Sequence, residues 1–271
     1  MKKLLFVILS LTLLASQCKK NPGGGGGGEE NTYECLPKTL VFTDTSGTET
    51  YRYTYEENRI KSKVRSFDDG TSLTYNYYYT DPQKGLLERI DILYNGEVVA
   101  RFNYTIQNER TAKQELVVLS NNQWITAIEY YYTYDDQGRL ATKRIVDHDY
   151  WGDFQNPTDE TGVYTYAGTA ENATNAKWYD TDDMNTIKEE FDFEYDQAPT
   201  VFHNVVTQTY PHFSVNNITH VVHRVYVPAP STSETFTRIT YNERNFPVKF
   251  ETVDDRDNPL ATEEVVYDNC N

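Results

Sequence analysis

Helical periodicity is missing from nearly all of this 271-residue chain. After the first 18 residues no long run places apolar side chains at i, i+3 and i+4, which argues against a helical bundle. The one long apolar run, Leu4 to Ala15, falls short of the roughly 20 residues that a membrane-crossing helix needs. Cysteine is scarce, with three residues and no C-x-x-C pair, so a zinc or redox motif built on cysteine is not expected. G-x-S-x-G, the P-loop and G-x-G-x-x-G are all absent, which removes the local signatures of common hydrolases, NTPases and dinucleotide enzymes. A catalytic triad assembled in space is not excluded by that absence. Positive charge is also short. The 25 Lys and Arg stand against 41 Asp and Glu, a net charge of −16. So acidic a body repels nucleic acid and anionic lipid surfaces, and neither is expected as a partner. No Pro/Gly/Ser-rich linker interrupts residues 35–271, so they are read as one domain.

What the chain has instead is tyrosine, 23 residues of it, together with Thr, Val and Ile, all of which favour strands. Ile128, Tyr130, Tyr132 and Tyr134 fall on alternate positions, the spacing of one strand face. Asp135 can bond its own backbone and start a turn, Gly138 supplies the positive φ that closes it, and Leu140 opens the next strand. Variants recur every 25 to 30 residues or so. Tyr51 to Tyr55 lead through Glu57 and Asn58, with Asn58 in the glycine role, to Ile60. Tyr75 to Tyr79 lead through Asp81, Pro82 and Gly85 to Leu87, Ile90 and Ile92. Phe191, Phe193 and Tyr195 alternate with Asp192, Glu194 and Asp196. Ile60, Ser62 and Val64 are expected on the inner face, opposite Lys61, Lys63 and Arg65. The fold class is all-β: an antiparallel meander of tandem hairpins, about 12–16 strands, curled into a barrel-like or wrapped sheet. The many charged faces argue against a transmembrane barrel, which needs an apolar outer band.

The first 17 residues have the form of a secretory signal peptide, with Lys2 and Lys3 ahead of the apolar run. Leu14-Ala15-Ser16-Gln17-Cys18 resembles a bacterial lipobox, although Gln17 stands where Gly or Ala is usual. The resemblance implies cleavage before Cys18, a diacylglycerol on its sulfur, and a membrane as partner through that anchor. An ordinary signal peptide cut nearby is the alternative. Removing Lys2 and Lys3 takes the net charge from −16 to −18. Residues 18–34, with the glycine run Gly23 to Gly28, read as a flexible tether with a reach of roughly 22 Å. With Cys18 acylated, Cys35 and Cys270 remain as a pair, and a disulfide joining the two ends of the body is expected in an oxidising compartment.

The unit Tyr134-Asp135-x-x-Gly138-Arg139-Leu140 resembles the YD repeat of Rhs-type proteins. Fragments such as Tyr195-Asp196 and Tyr55-x-x-Asn58-Arg59-Ile60 repeat it in part. Over residues 36–270 the chain is similar to Bacteroidetes lipoproteins that carry degenerate YD hairpins. That resemblance implies a fold and an outer-membrane location, on either the periplasmic or the surface face, and it implies no chemistry.

Candidate sites are few. His220 and His223 lie three apart, so on a strand they face opposite ways and cannot share an ion. The carboxylate clusters Asp68-Asp69, Asp135-Asp136, Asp182-Asp183 and Asp254-Asp255 with Asp257 fall where turns are expected. The last of these is the best guess for calcium, although it lacks the spaced ligands of an EF-hand loop. Residues 147–163 form an aromatic, acidic loop in which Tyr150, Trp151 and Phe154, joined by Trp178, are candidates for binding a sugar ring or a protein partner. The same aromatics would otherwise cover the sheet. The function expected is a non-catalytic binding or scaffolding role in the cell envelope, with glycan or protein capture as its specific form and no cofactor. The alternatives are a carboxylate-dependent hydrolase of carbohydrate, with two acids about 5 to 10 Å apart in one pocket, and a carrier that encloses an apolar ligand in a Leu/Val/Phe-lined hollow.

Overall fold

The structure is a computed structural model that describes residues 35–148, 150, 157–206, 212–268 and 270. Its strands follow in chain order: β1 (Leu36–Asp44), β2 (Gly47–Glu56), β3 (Arg59–Phe67), β4 (Ser72–Asp81), β5 (Leu86–Tyr94), β6 (Glu97–Gln107), β7 (Arg110–Ser120), β8 (Gln123–Tyr134), β9 (Leu140–Asp147), β10 (Thr158–Tyr166), β11 (Ala173–Asp180), β12 (Asp183–Pro199), β13 (Asn216–Val225), β14 (Ser231–Tyr241), β15 (Pro247–Asp254) and β16 (Pro259–Asp268). Each pairs antiparallel with its sequence neighbours, and β1 pairs with β16, so the meander closes into a 16-stranded barrel with no free edge. A 3-10 turn at Pro82–Lys84 is the one helical piece among the described residues.

An even number of strands returns the chain to the rim it left. Cys35 and Cys270 meet there in the expected disulfide, with Cα atoms 4.4 Å apart across a sequence separation of 235. We call this the terminal rim and the opposite one the far rim.

Directly opposed residues of an antiparallel pair share a face. Register therefore sorts the side chains, and burial identifies the inner set. Tyr51, Tyr53, Tyr75, Phe102, Leu116, Tyr130 and Tyr132 are inner residues at 9% exposure or less. The sheet slips by one residue near the terminal rim at every even-to-odd pairing, between Thr54 and Tyr55, Tyr78 and Tyr79, Thr105 and Ile106, Thr133 and Tyr134, Thr165 and Tyr166, Glu194 and Tyr195, and Thr240 and Tyr241. Such bulges bend a strand and strengthen its twist, which helps a long meander to curl shut.

The bulges also reverse the alternation, and this corrects the expected faces of β3. Tyr55 opposes Ile60, but Thr54 opposes Ser62 and Tyr53 opposes Lys63. Ile60 is therefore inward, and beyond the slip the inner set is Lys63, Arg65 and Phe67. Arg65 is 2% exposed, and its guanidinium pairs with Glu49 at 2.8 and 3.0 Å. A second correction concerns the β2–β3 turn. Glu57, at φ 57°, takes the left-handed conformation expected of Asn58. The Asn58 carbonyl instead accepts the Val206 amide at 2.9 Å.

The tyrosine on the rim side of a slip has a specific use. Its phenol donates to a backbone carbonyl near the start of the preceding strand: Tyr55 to Pro37, Tyr79 to Ile60, Tyr134 to Thr111, Tyr166 to Leu140, Tyr195 to Ala173 and Tyr267 to Pro247, at 2.6–3.0 Å. Tyr241 donates to Asp196 instead. Ile106 occupies the equivalent place in β6. The five-residue turn also recurs. At 135–139, 242–246 and 254–258 the first residue is Asp or Asn, its Oδ1 accepts the amides of the third and fifth residues, and the fourth has positive φ: Gly138, Asn245 and Asp257.

Sixteen strands enclose more space than short side chains can fill. Tyrosine meets part of that demand, and the connection from β12 to β13 meets more. Val201, Phe202 and Val205 from this connection enter a cluster with Leu40, Tyr51, Tyr53, Ile60, Phe250 and Val265. Phe213 packs against a second cluster, built from the inner faces of β4 to β9. Its described residues, 200–206 and 212–215, leave and return on the terminal rim, and Val206 bonds across it to the β2–β3 turn, so these residues plug that end.

The outward faces carry charge. Asp91 lies between Arg101 at 2.6 Å and Arg89 at 3.4 Å, Lys113 reaches Glu129 at 2.6 Å and Glu115 at 3.0 Å, and Arg144 pairs with Asp159 at 2.5 Å. Asp192 pairs with Arg224 at 2.5 Å. Among the described residues, ion pairs thus interrupt the outer surface from β5 to β13.

Candidate functional site

On the inner face from β9 to β13, polar and aromatic side chains stay partly accessible. Its central row is set by register: Tyr132, Lys143, Gly162, Trp178 and Glu189 are successive neighbours across β8 to β12. Glycine inside a strand weakens it unless something needs the space. Here the Trp178 ring does, since a Cβ on Gly162 would lie 2.8 Å from it. One row toward the far rim, Lys188 bonds Glu160 at 2.6 Å and Asp180 at 2.8 Å. On the other side, Tyr164, Ala176, Phe191 and His223 follow in register. The His223 ring stacks on Phe191 at 4.2 Å, and its Nε2 lies 3.1 Å from Glu189 Oε2. Phe213 of the plug stacks on Tyr164 at 5.3 Å and lies 5.1 Å from Phe193.

Burial sets the electrostatics. Lys143 lies deep among protein atoms over the Tyr130 ring, 5.1 Å from its centre, and desolvation pulls its ammonium down to about 8. His212, beside Phe213, is pulled down to about 3 by the same cause, and its Nε2 is buried without a hydrogen-bond partner among the described residues. Desolvation also raises the Tyr164 phenol above its ordinary range. The face thus offers flat ring surfaces, an imidazole–carboxylate pair, a lysine bridging two carboxylates, and one further amine.

Trp178 is the sequence candidate that this face contains. Tyr150 packs against the β4–β9 cluster, in the covering role. Trp151, Phe154 and Cys18 lie outside the described residues. The carboxylate clusters sit on turns: Asp69 accepts the Thr71 amide, Asp135 and Asp254 hold their five-residue turns, and Asp183 accepts the Asn185 amide. Asp254 and Asp257 have their oxygens engaged, the first by Arg256 and Asn258 and the second by Arg238. Asp255 lies in the same turn. Among the described residues no three His, Cys, Asp or Glu side chains are grouped to hold a metal ion. His220 faces out, stacked on Phe236 at 4.4 Å, whereas His223 faces in. Sequence reasoning missed Lys143, Gly162, Glu189 and Phe213, and gave the isolated His212 no role. Gly162 inside an alternating strand was a usable signal, as were the apolar residues of the β12–β13 connection.

No family model matches the chain, and no curated protein matches it. Solved structures do. A porin-like protein from Bacteroides uniformis aligns with TM-score 0.53 and 12% identity over 87% of this chain and 99% of that one. What the two share is the fold. A porin-like protein from Bacteroides vulgatus aligns at TM-score 0.43 and 11% identity, covering 87% of this chain and 99% of that one. A TcdB2-TccC3-TEV chain aligns at 0.34 and 13% identity over 85% of this chain and 14% of its own length.

Proposed function

We propose that this protein is a lipid-anchored binding module of the bacterial outer membrane, without catalysis, that captures a glycan or an envelope protein at the far rim of its barrel. The anchor is Cys18, and the tether of residues 19–34 ends at Cys35 on the terminal rim. That rim is plugged by the β12–β13 connection, so the tether would hold the plugged end toward the membrane and the far rim away from it. The observation that carries the reading is the accessible inner face beneath the far rim, where Trp178 and the stacked His223–Phe191 pair offer ring surfaces of the kind that bind sugars and peptides. Its carboxylates Glu160, Asp180 and Glu189 are engaged by Lys188 and His223, and the aspartate clusters serve turns, which disfavours the hydrolase. Tyrosines stand among the aliphatic residues of both inner clusters, and Val201, Phe202 and Val205 of the connection occupy part of the interior, which disfavours the apolar-ligand carrier.

The test is capture of envelope glycans and proteins by the chain from residue 19 onward, beside its Trp178→Ala and Trp151→Ala variants. Retained material that is lost with Trp178→Ala supports the reading. Undiminished capture by Trp178→Ala, or none by the unmodified protein, overturns it.

A further inference from the structure

Charges inside the barrel are, with few exceptions, provided for. Arg65 has Glu49, Lys188 has Glu160 and Asp180, and His223 has Glu189. Lys63 lies over the Tyr75 ring, 4.0 Å from its centre, and feels the Glu49 carboxylate on the same inner face. Lys143 differs from these. It stands in the central row between Tyr132 and Gly162, over the face of Tyr130, and no acceptor lies within hydrogen-bond or ion-pair distance of its amine among the described residues. The residue retains accessible surface although protein atoms surround it, so it borders the lumen and is not sealed in the wall. A desolvated ammonium without a counter-charge is costly, and methionine or leucine would fill the same wall at no such cost.

The absence of a side chain at Gly162 matters here as well. It lets the Trp178 ring lie over the strand next to Lys143, so the amine and the indole stand on either side of Gly162 in one inner row. Beyond this row, Tyr164 stacks on Phe213, and the neighbouring His212 has a buried Nε2 with no partner among the described residues. An amine and an indole thus border one stretch of otherwise largely aromatic wall.

We infer that this stretch of inner wall binds a small organic anion, a ring compound whose acid group pairs with the Lys143 amine while its ring lies along Trp178. In the setting of the proposed glycan capture, on which this inference rests, the class is a sugar carrying a carboxylate or a sulfate. The acid group supplies the counter-charge that the described residues do not, and the charge-assisted hydrogen bond gains strength from the desolvated site. The ring occupies the face that a neutral sugar would also use. Charge discrimination therefore falls to Lys143 and ring recognition to Trp178.

Calorimetric titration of the chain from residue 19 with a galacturonate oligomer, a sulfated galactose oligomer and a neutral galactose oligomer of equal length separates these roles. The expected result is that at least one acidic oligomer binds at least tenfold more tightly than the neutral one. Lys143→Met removes that preference, Lys143→Arg restores most of it, and Trp178→Ala weakens all binding. Which acidic oligomer is favoured identifies the acid group. Equal affinity for all three oligomers, or an acidic preference that survives in Lys143→Met, overturns the inference while Trp178-dependent capture still stands. No binding of any oligomer overturns the inference too, and then only the capture experiment speaks for a protein partner. Circular dichroism and urea midpoints of each variant show whether it is folded. If Lys143→Met is unfolded, the Arg variant beside wild type decides, and loss of the acidic preference in a folded Arg variant counts against the inference.

Discussion

Glu263 offers a quantitative test of the inner face. It lies on β16 between Phe42 of β1 and Phe250 of β15, 6% exposed, with Oε1 lacking a partner among the described residues. Burial pushes its carboxyl up to about 8 from an ordinary 4.5. The folded protein therefore holds this proton more tightly than the unfolded chain. The resulting stability is fully present below about pH 4.5 and is lost as pH rises to about 8. At about 1.4 kcal/mol for each tenfold change in affinity, the displacement corresponds to a ceiling of about 5 kcal/mol. Relaxation and water entry bring a realistic figure to about 3 kcal/mol. Lys63 and Lys143, whose ammonium groups are pulled down to about 7 and about 8, work in the opposite sense: their stability is gained as pH rises through that range toward 10.5. Those contributions are common to wild type and Glu263→Gln, so the difference between the two proteins isolates residue 263. Urea unfolding of both proteins from pH 5 to 9 should show the Gln variant gaining about 3 kcal/mol relative to wild type across that span. Parallel stability profiles would refute the assignment of Glu263 to a dry interior.

Two further outcomes follow from the seam and the tyrosine clamps. Replacing Cys35 and Cys270 together by serine opens a loop of 235 residues and should cost about 5 kcal/mol, read as a lower urea midpoint that matches reduced wild type. Coincident curves for variant and oxidised wild type would show that the β1–β16 hydrogen bonds suffice alone. Tyr134→Phe removes the phenol that donates to the Thr111 carbonyl and should cost about 1 kcal/mol in the same assay, with no change in the far-ultraviolet spectrum.

The strands, the hairpin spacing and the covalent link between the ends were legible because each is a local or countable property: period-two alternation, turn chemistry, and a pair of cysteines. The faces of β3 were not legible, because alternation carries no mark of a bulge. Once Tyr55 opposes Ile60 and Thr54 opposes Ser62, the charged residues Lys63 and Arg65 point inward, against what their composition suggests. Their polar ends are met by Glu49 and by tyrosine faces, which lie far away in sequence from a single-strand view. The site was less legible still. Trp178 was identifiable as an aromatic residue near a loop, but its function as an inner-wall residue depends on Gly162 one strand away. Lys143 looked like an ordinary strand lysine until register placed it in the same row as Tyr132. The β12–β13 plug was missed because strand patterning treats any long connection as surface.

The parity of the strand count has an engineering consequence. Since β1 and β16 run antiparallel and meet at the disulfide, the seam is topologically one more hairpin whose turn is a pair of sulfurs. A short peptide joining residue 270 back to residue 35 would complete the ring, and the chain could then begin and end at any far-rim turn, such as Asn95-Gly96. The order of synthesis would change while every neighbour in the sheet stayed the same. A tether moved in this way would present the plugged rim, not the far one, to the surroundings.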